Sequence, residues 1–148
     1  MEIKILFGSE TGNAEGLAVE ADRKLTEEGF LTEIIDMKEV TPEKLAEYEN
    51  VLLLTSTWGD GDPPDNAAKL YNELKCTTSN QLSSLNYAVF AIGQSFYEHF
   101  CKTGKDFDEF LEKHGAKRLL PVELSDDDYD VLFPQWLEKV IKSLSVKK

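Results

Sequence analysis

Phe7-Gly8-Ser9-Glu10-Thr11-Gly12-Asn13-Ala14 decides how the rest of this chain is read. It follows a short apolar run, Ile3 to Phe7, that alternates only loosely and predicts a buried strand over Glu2–Phe7. It leads into a segment where Leu17, Ala18, Ala21 and Leu25 recur at helical spacing, which predicts a helix over Asn13–Glu28 closed by Gly29. Strand, small polar loop and helix together leave the first backbone N–H groups of the helix facing outward, an arrangement suited to an anion. Ser9, Thr11 and Asn13 add neutral side-chain donors. No Lys or Arg occurs between Lys4 and Arg23, so an anion here is held by neutral donors and the helix dipole. The Gly-Lys-Ser/Thr of a Walker loop and the Gly-x-Gly-x-x-Gly of a dinucleotide fold are both missing. The same residues also describe an ordinary polar turn capping a helix, and the stretch alone does not choose.

Further along, strand-like and helix-like segments alternate, predicting a parallel sheet covered on both faces. Leu31–Asp36 reads as the second strand, and Thr41 caps a helix that starts at Pro42 and runs to Tyr48. Val51–Thr55 is a buried third strand, followed by a loop, Ser56–Pro64, and a helix over Asp65–Lys75. After a polar loop, Thr77–Ser84, comes a fourth strand, Tyr87–Ile92, with its own loop, Gly93–Cys101. A helix over Gly104–His114 is ended by Gly115, with His114 at its negative end. Leu119–Leu124 reads as the fifth strand and Ser125–Asp130 as an acidic loop. The last helix is expected over Leu132–Leu144, with Pro134 in its first turn and Trp136, Leu137, Val140 and Ile141 as its buried stripe.

The 148 residues suffice for one domain with a real core, 1–148. Sixteen Lys+Arg against 28 Asp+Glu give a net charge of −12, which argues against nucleic acid and anionic membrane. The charge permits a basic protein partner, and plain solubility accounts for it equally well. No run is long enough to span a membrane, and Met1-Glu2-Ile3-Lys4 does not open a signal peptide, so the cytoplasm is the expected compartment. Cys76 and Cys101 are read as reduced thiols. No metal-ligand spacing surrounds His99, so a surface or backbone-bonding role is expected for it, and Cys101 reads as a small buried filler.

In a sheet of this kind, ligands sit outside the carboxyl ends of the strands, where the strand order reverses. The loops after strands one, three and four therefore share one rim. The third-strand loop, Thr55-Ser56-Thr57-Trp58-Gly59-Asp60-Gly61-Asp62-Pro63-Pro64, holds a Trp that no apolar face calls for. It either folds back over the core or stacks on a flat ligand. The fourth-strand loop, Gly93-Gln94-Ser95-Phe96-Tyr97-Glu98-His99-Phe100-Cys101, brings a second aromatic, Tyr97, to the same rim. Two aromatics beside a phosphate loop describe a clamp for a planar ring that carries a phosphate.

At these residues the chain resembles the flavodoxin family, short-chain type, and is especially similar to the FMN domains of diflavin reductases such as cytochrome reductase and sulfite reductase flavoprotein. Ser9–Glu15 resembles the family's phosphate loop, and Ser56-Thr57-Trp58-Gly59-Asp60 its inner flavin loop. Asp60–Asn66 continues in the diflavin manner, and Tyr97–Cys101 with Gly104-Lys105 resembles the outer loop and its helix. Asp126-Asp127-Asp128 resembles an acidic stretch of the diflavin domains. The resemblance implies a three-layer α/β sandwich whose five-stranded parallel sheet runs in the order 2-1-3-4-5 with helices on both faces. It implies that FMN is the cofactor. Ser9, Glu10, Thr11, Gly12, Asn13 and Ala14 would take its phosphate with help from Ser56 and Thr57. Trp58 and Tyr97 would flank the ring, with Gly59 and Asp60 beside it. Ile92, Gly93, Gln94, His99, Phe100 and Cys101 would line the ring's polar edge, and Asp127 would lie near it. The chain departs from many flavodoxins in having Gln94-Ser95-Phe96 where they carry Asp-Ser-Ser.

The implied function is a low-potential one-electron carrier, a cytoplasmic monomer with basic redox partners. A flavodoxin/ferredoxin-type reductase would be its donor and a redox enzyme its acceptor. One alternative is an FMN domain cut from a diflavin reductase. Another is an FMN-dependent NAD(P)H:quinone reductase-like enzyme, which would need space over the ring that Trp58 and Tyr97 would fill. No catalytic or metal-ligating residue is expected. A receiver domain of the same topology is excluded, because Gly8-Ser9 and Thr55 stand where its acids would be.

Overall fold

The computed structural model describes residues 2–8, 12–56, 63–76, 81–93, 101–126 and 128–147. Strand β1 (Glu2–Gly8) lies between β2 (Leu31–Asp36), at one edge of the sheet, and β3 (Asn50–Ser56). Next come β4 (Asn86–Ile92) and an outer strand in two pieces, β5 (Lys117–Arg118) and β6 (Glu123–Ser125). All pairings are parallel, in the order β2-β1-β3-β4-β5, with β6 also on β4. This is the expected topology.

Burial on both sides explains the continuous apolar runs of the middle strands. Leu52, Leu54, Ala88 and Phe90 face α1 (Asn13–Glu27) and α5 (Tyr129–Lys147), meeting Leu17, Leu25, Phe133, Trp136 and Val140. Val51, Leu53, Tyr87 and Val89 face α3 (Asp65–Cys76) and α4 (Lys102–Lys113), meeting Leu70, Leu74, Phe107 and Leu111. A short 3-10 turn (Met37–Glu39) and α2 (Pro42–Leu45) complete that second layer.

Two helices end as their glycines predict. Gly29 has φ +92°, Phe30 N–H donates to Leu25 O at 3.1 Å, and Gly29 N–H donates to Thr26 O at 3.0 Å. Gly115 repeats the pattern with φ +94°, its neighbour Ala116 donating to Leu111 O at 3.0 Å. Both positions need the left-handed conformation that glycine adopts without a Cβ clash. His114 sits at the closing turn of α4 as expected, is 2% exposed, and its Nε2 lies 3.1 Å from Leu74 O.

Three expectations are corrected. The fifth strand is not continuous over Leu119–Leu124. It pairs with β4 at Lys117–Arg118, breaks across 119–122, and pairs again at Glu123–Ser125. Pro121 lies in the break and has no N–H to give a ladder. The helix expected from Pro42 to Tyr48 covers only Pro42–Leu45, capped as predicted by the Thr41 hydroxyl, which accepts from Lys44 N–H. The last helix begins at Tyr129, so Pro134 lies inside it and not in its first turn. Pro134 is exposed there, and so is Asp130, whose carbonyl would otherwise accept its N–H, so water can serve that group.

Helix α4 lies very close to β4. A Cβ on Gly104 would stand 2.3 Å from Ala91 Cβ and 3.3 Å from Ala91 Cα. Alanine in a helix interior normally gains stability over glycine by roughly 0.5–1 kcal/mol. Here the overlap with a buried strand reverses the sign, and Gly104→Ala should destabilise the protein by about 1–3 kcal/mol. The check is the urea midpoint at unchanged slope. A midpoint at or above that of the parent would contradict the close approach.

Candidate functional site

The carboxyl ends of four strands form one row. Gly8 of β1 is opposite Thr55 of β3, Ser56 is opposite Ile92 of β4, and Ile92 is opposite Ser125 of β6. The chain leaves β1 toward β2 on one side and β3 lies on the other, so the order reverses between Gly8 and Thr55. A parallel α/β sheet opens its ligand crevice at such a point.

Of the residues predicted for the site, Gly12, Asn13, Ala14, Ser56, Ile92, Gly93 and Cys101 are among those described: Ser56 and Ile92 end β3 and β4, Gly93 follows β4, Gly12 to Ala14 open α1, and Cys101 precedes α4. Gly12 opens α1 in the left-handed conformation, φ 81° and ψ 0°. Among the described residues, a Cβ placed on it would have nothing within 4 Å. Asn13 follows, its Oδ1 accepting from Ala14 N–H at 2.8 Å. Ser9, Glu10, Thr11, Thr57, Trp58, Gly59, Asp60, Gln94, Tyr97, His99, Phe100 and Asp127 lie outside the described residues.

The other end of the row is tied together by Ser125, which is 1% exposed. Its carbonyl accepts from Gly93 N–H at 2.9 Å and from the Cys101 thiol at 3.5 Å. Its hydroxyl donates to Ala91 O at 2.7 Å. One residue thus fixes the end of β4 and the start of α4. The sequence marks Ser125 only as the first residue of an acidic loop, and nothing in its neighbours signals this role. Gly93 leaves no room for a side chain, since a Cβ there would lie 2.9 Å from Cys101 N and 3.0 Å from its Sγ. Cys101 is fully buried with φ 55°, as expected of a filler, and burial pushes its thiol pKa up to about 11.

Asn66, in the first turn of α3, is a second residue that the sequence does not single out. Its buried Oδ1 has no hydrogen-bond partner among the described residues and lies 3.5 Å from where a Gly8 Cβ would be. Among the described residues, the end of β1 therefore has an unpartnered acceptor behind it and nothing crowding the helix start that follows it. At the far end of the row, Asp126 N–H donates to Asp128 Oδ1 at 3.0 Å, in the acidic turn before α5. No group of metal-ligating side chains is present among the described residues.

Residues 5–136 match the family model described as Flavodoxin. The chain is 42% identical over 144 residues to the sulfite reductase [NADPH] flavoprotein alpha-component of Bacillus subtilis (strain 168), covering 97% of this chain and 24% of that protein. It is 40% identical over 142 residues to the corresponding component of Shewanella sp. (strain MR-7), covering 96% of this chain and 24% of that protein. The chain thus spans about a quarter of the length of these curated relatives. Among solved structures, it is similar to a flavodoxin of Streptococcus pneumonia TIGR4, with TM-score 0.78 and 29% identity over 96% of this chain and 99% of that one. A point mutant of flavodoxin from Pseudomonas aeruginosa has TM-score 0.83 and 26% identity, covering 98% of this chain and 99% of that one.

The two cysteines should differ sharply in reactivity, because the thiolate is the nucleophile. Cys76 is exposed and Cys101 is buried with a raised pKa. At neutral pH the native protein should present Cys76 alone to a chromogenic disulfide reagent, with Cys101 reacting only on unfolding. Equal, rapid reaction of both thiols in the native protein would contradict the packing of Cys101 under Gly93.

Proposed function

Because the chain belongs to the flavodoxin family, over a match that covers most of its length, we propose that it holds FMN along the strand-end row and carries single electrons at low potential between redox proteins. The carrying observation is the left-handed Gly12 entrance to α1 at the strand-order reversal, uncrowded among the described residues, on a chain with no Lys or Arg between Lys4 and Arg23.

The described residues fit that group. Gly12 puts no side chain over the helix start, so the backbone N–H groups there can meet a phosphate, and Asn13 offers a further donor. Ser56 and Ile92 end neighbouring strands, where a ring can rest against the sheet edge. Bound FMN supplies the redox chemistry, accepting and releasing electrons one at a time. The protein's part is to bind, orient and tune. Ser9 to Ala14 would hold the phosphate, with Ser56 and Thr57 in support. Trp58 and Tyr97 would flank the ring. Gly59 would let its peptide turn toward the ring without a Cβ clash. Gly93 and Cys101, fixed on the Ser125 carbonyl, anchor both ends of the segment that would line the ring's polar edge. The acids of the rim, and the lack of Lys and Arg within residues 5–22, 51–68, 84–101 and 119–138, would disfavour added negative charge on the ring and so keep its potential low.

Asp65, Asp126 and Asp128, with Asp60, Asp62, Glu98 and Asp127, would form the face offered to a basic partner. A monomer of the cytoplasm suits two unpaired cysteines. No helix among the described residues is long and apolar enough to cross a membrane. A second reading is favoured by the 42% identity to part of a much longer flavoprotein: the same FMN-carrying role inside a larger reductase. Immunoblotting of source cells separates the two. A band near 16.7 kDa supports a separate carrier, and a far larger one supports a domain.

The purified protein should be yellow, or become so with added FMN. Trp58→Ala and Tyr97→Ala should each weaken FMN binding by about 1–3 kcal/mol, as loss of one stacking face does elsewhere. Unchanged affinity in both variants, measured by fluorescence quenching, would refute the clamp.

Docking should respond to charge as well. Changing Asp60, Asp62 and Asp126 to Asn should slow electron transfer to a basic acceptor at low salt, and the difference should fade as salt rises. Stopped-flow rates that are equal at low salt would place the docking face elsewhere.

A further inference from the structure

Lys102 is the first cation after Lys75, and it opens α4 directly after Cys101 at the carboxyl end of β4. A lysine in the first turn of a helix is opposed by the helix dipole. A lysine four residues before an acid is also the weaker order for a helical ion pair. Helix energetics therefore do not account for its placement. Its partners do. The Lys102 Nζ lies 2.7 Å from Asp106 Oδ2 and 3.2 Å from the Tyr71 hydroxyl of α3. It also stands 5.9 Å from the centroid of the Tyr71 ring. The Tyr71 hydroxyl donates to the same Asp106 oxygen, so the three groups close on one another. Tyr71 is itself held, 6% exposed, with its ring edge-on to Phe107 and Phe110. The Asp106 hydrogen bond raises the Lys102 pKa, so the ammonium stays charged at working pH.

We propose that Asp106 and Tyr71 are positioning residues that hold the Lys102 ammonium against α3, and so keep its charge away from the cofactor rim that α4 borders. The proposal rests on the FMN reading above. The second electron brings negative charge to the ring, and a cation free to approach would favour it and raise the lower of the two one-electron couples. A lysine released from Asp106 has four carbons of reach at the edge of the rim, and a charge within a Debye length of about 10 Å is only partly screened. The clamp converts a cation that the sequence puts beside the site into one already paired.

The test is a spectroelectrochemical titration of the FMN-loaded protein in four forms: parent, Asp106→Asn, Lys102→Met and the double variant. Asp106→Asn should raise the lower couple, and that rise should be clearly smaller in the Lys102→Met background. The excess should shrink as salt is added. Equal rises in the two backgrounds would mean that only the lost carboxylate matters, and no rise would mean that the charge cannot reach; either overturns the proposal. Tyr71→Phe changes no formal charge and keeps the ring packing, so it carries the test if Asp106→Asn does not fold. It should give a smaller rise that again requires Lys102, and no Lys102-dependent rise would overturn the proposal. Failure of the parent to bind FMN would overturn the functional reading itself, a result distinguishable from unshifted couples in loaded protein.

Discussion

Leu52 and Leu54 bury on one face of β3 while Val51 and Leu53 bury on the other, and the molecule depends on that two-sided burial. Each fully buried aliphatic side chain contributes roughly 1.5–3 kcal/mol, so neither face can be left to water. Helices must therefore cover both sides, and a parallel sheet with crossover helices meets that demand with short connections. Strands that all point one way put all their carboxyl ends on one edge. The site is in that sense a by-product of how the core is covered: Gly8, Ser56, Ile92 and Ser125 share an edge because their strands share a register.

Within that row, precision comes from small residues and backbone groups. The Ser125 carbonyl serves Gly93 and Cys101 together, and Gly93 can approach Cys101 only because it has no Cβ. The segment between them is thus fixed at both ends by groups that carry no charge. Neutral anchoring matters in a molecule of net charge −12, because a cation used as a fastener would alter the local field. Apart from Lys102, clamped on Asp106 and Tyr71, other charged fasteners stand farther along the sheet. Arg118 binds Asp108 through two contacts, at 3.0 and 2.7 Å, between β5 and the outer layer, and Lys4 pairs with Glu33 at 2.7 Å across β1 and β2.

Much of this was legible in the residues. The apolar runs mark the strands, the spacing of Leu17, Ala18, Ala21 and Leu25 marks α1, and Gly29 and Gly115 mark the ends of α1 and α4. Burial of Cys101 was legible from its small apolar character. The break in the fifth strand was not, because Leu119, Leu120 and Val122 have strand-like side chains. What decides the break is length: Ala88 and Val89 separate the paired positions on β4, while Leu119, Leu120, Pro121 and Val122 separate their partners. The start of α5 was missed because a proline ordinarily marks a first turn. At the site, loop order and spacing could be read, and Ser56 and Ile92 end their strands as the reading has them. The parts played by Ser125 and Asn66 could not be read, since both depend on contacts between segments distant in sequence.

The interrupted outer strand also bears on how these molecules behave toward one another in concentrated solution. A long, flat edge strand is a template for adding a strand from another chain, the first step toward insoluble assemblies. On the β4 side no such template is present among the described residues: a two-residue piece, a Pro-containing detour and a three-residue piece leave no straight run to copy. The β2 side keeps six residues in line with Leu31 69% exposed, and Glu33 projects there with its charge held by Lys4. Of the two edges, β2 is the one where a lost charge would open a path to self-association, and the split outer strand is the safeguard that needs no charge at all.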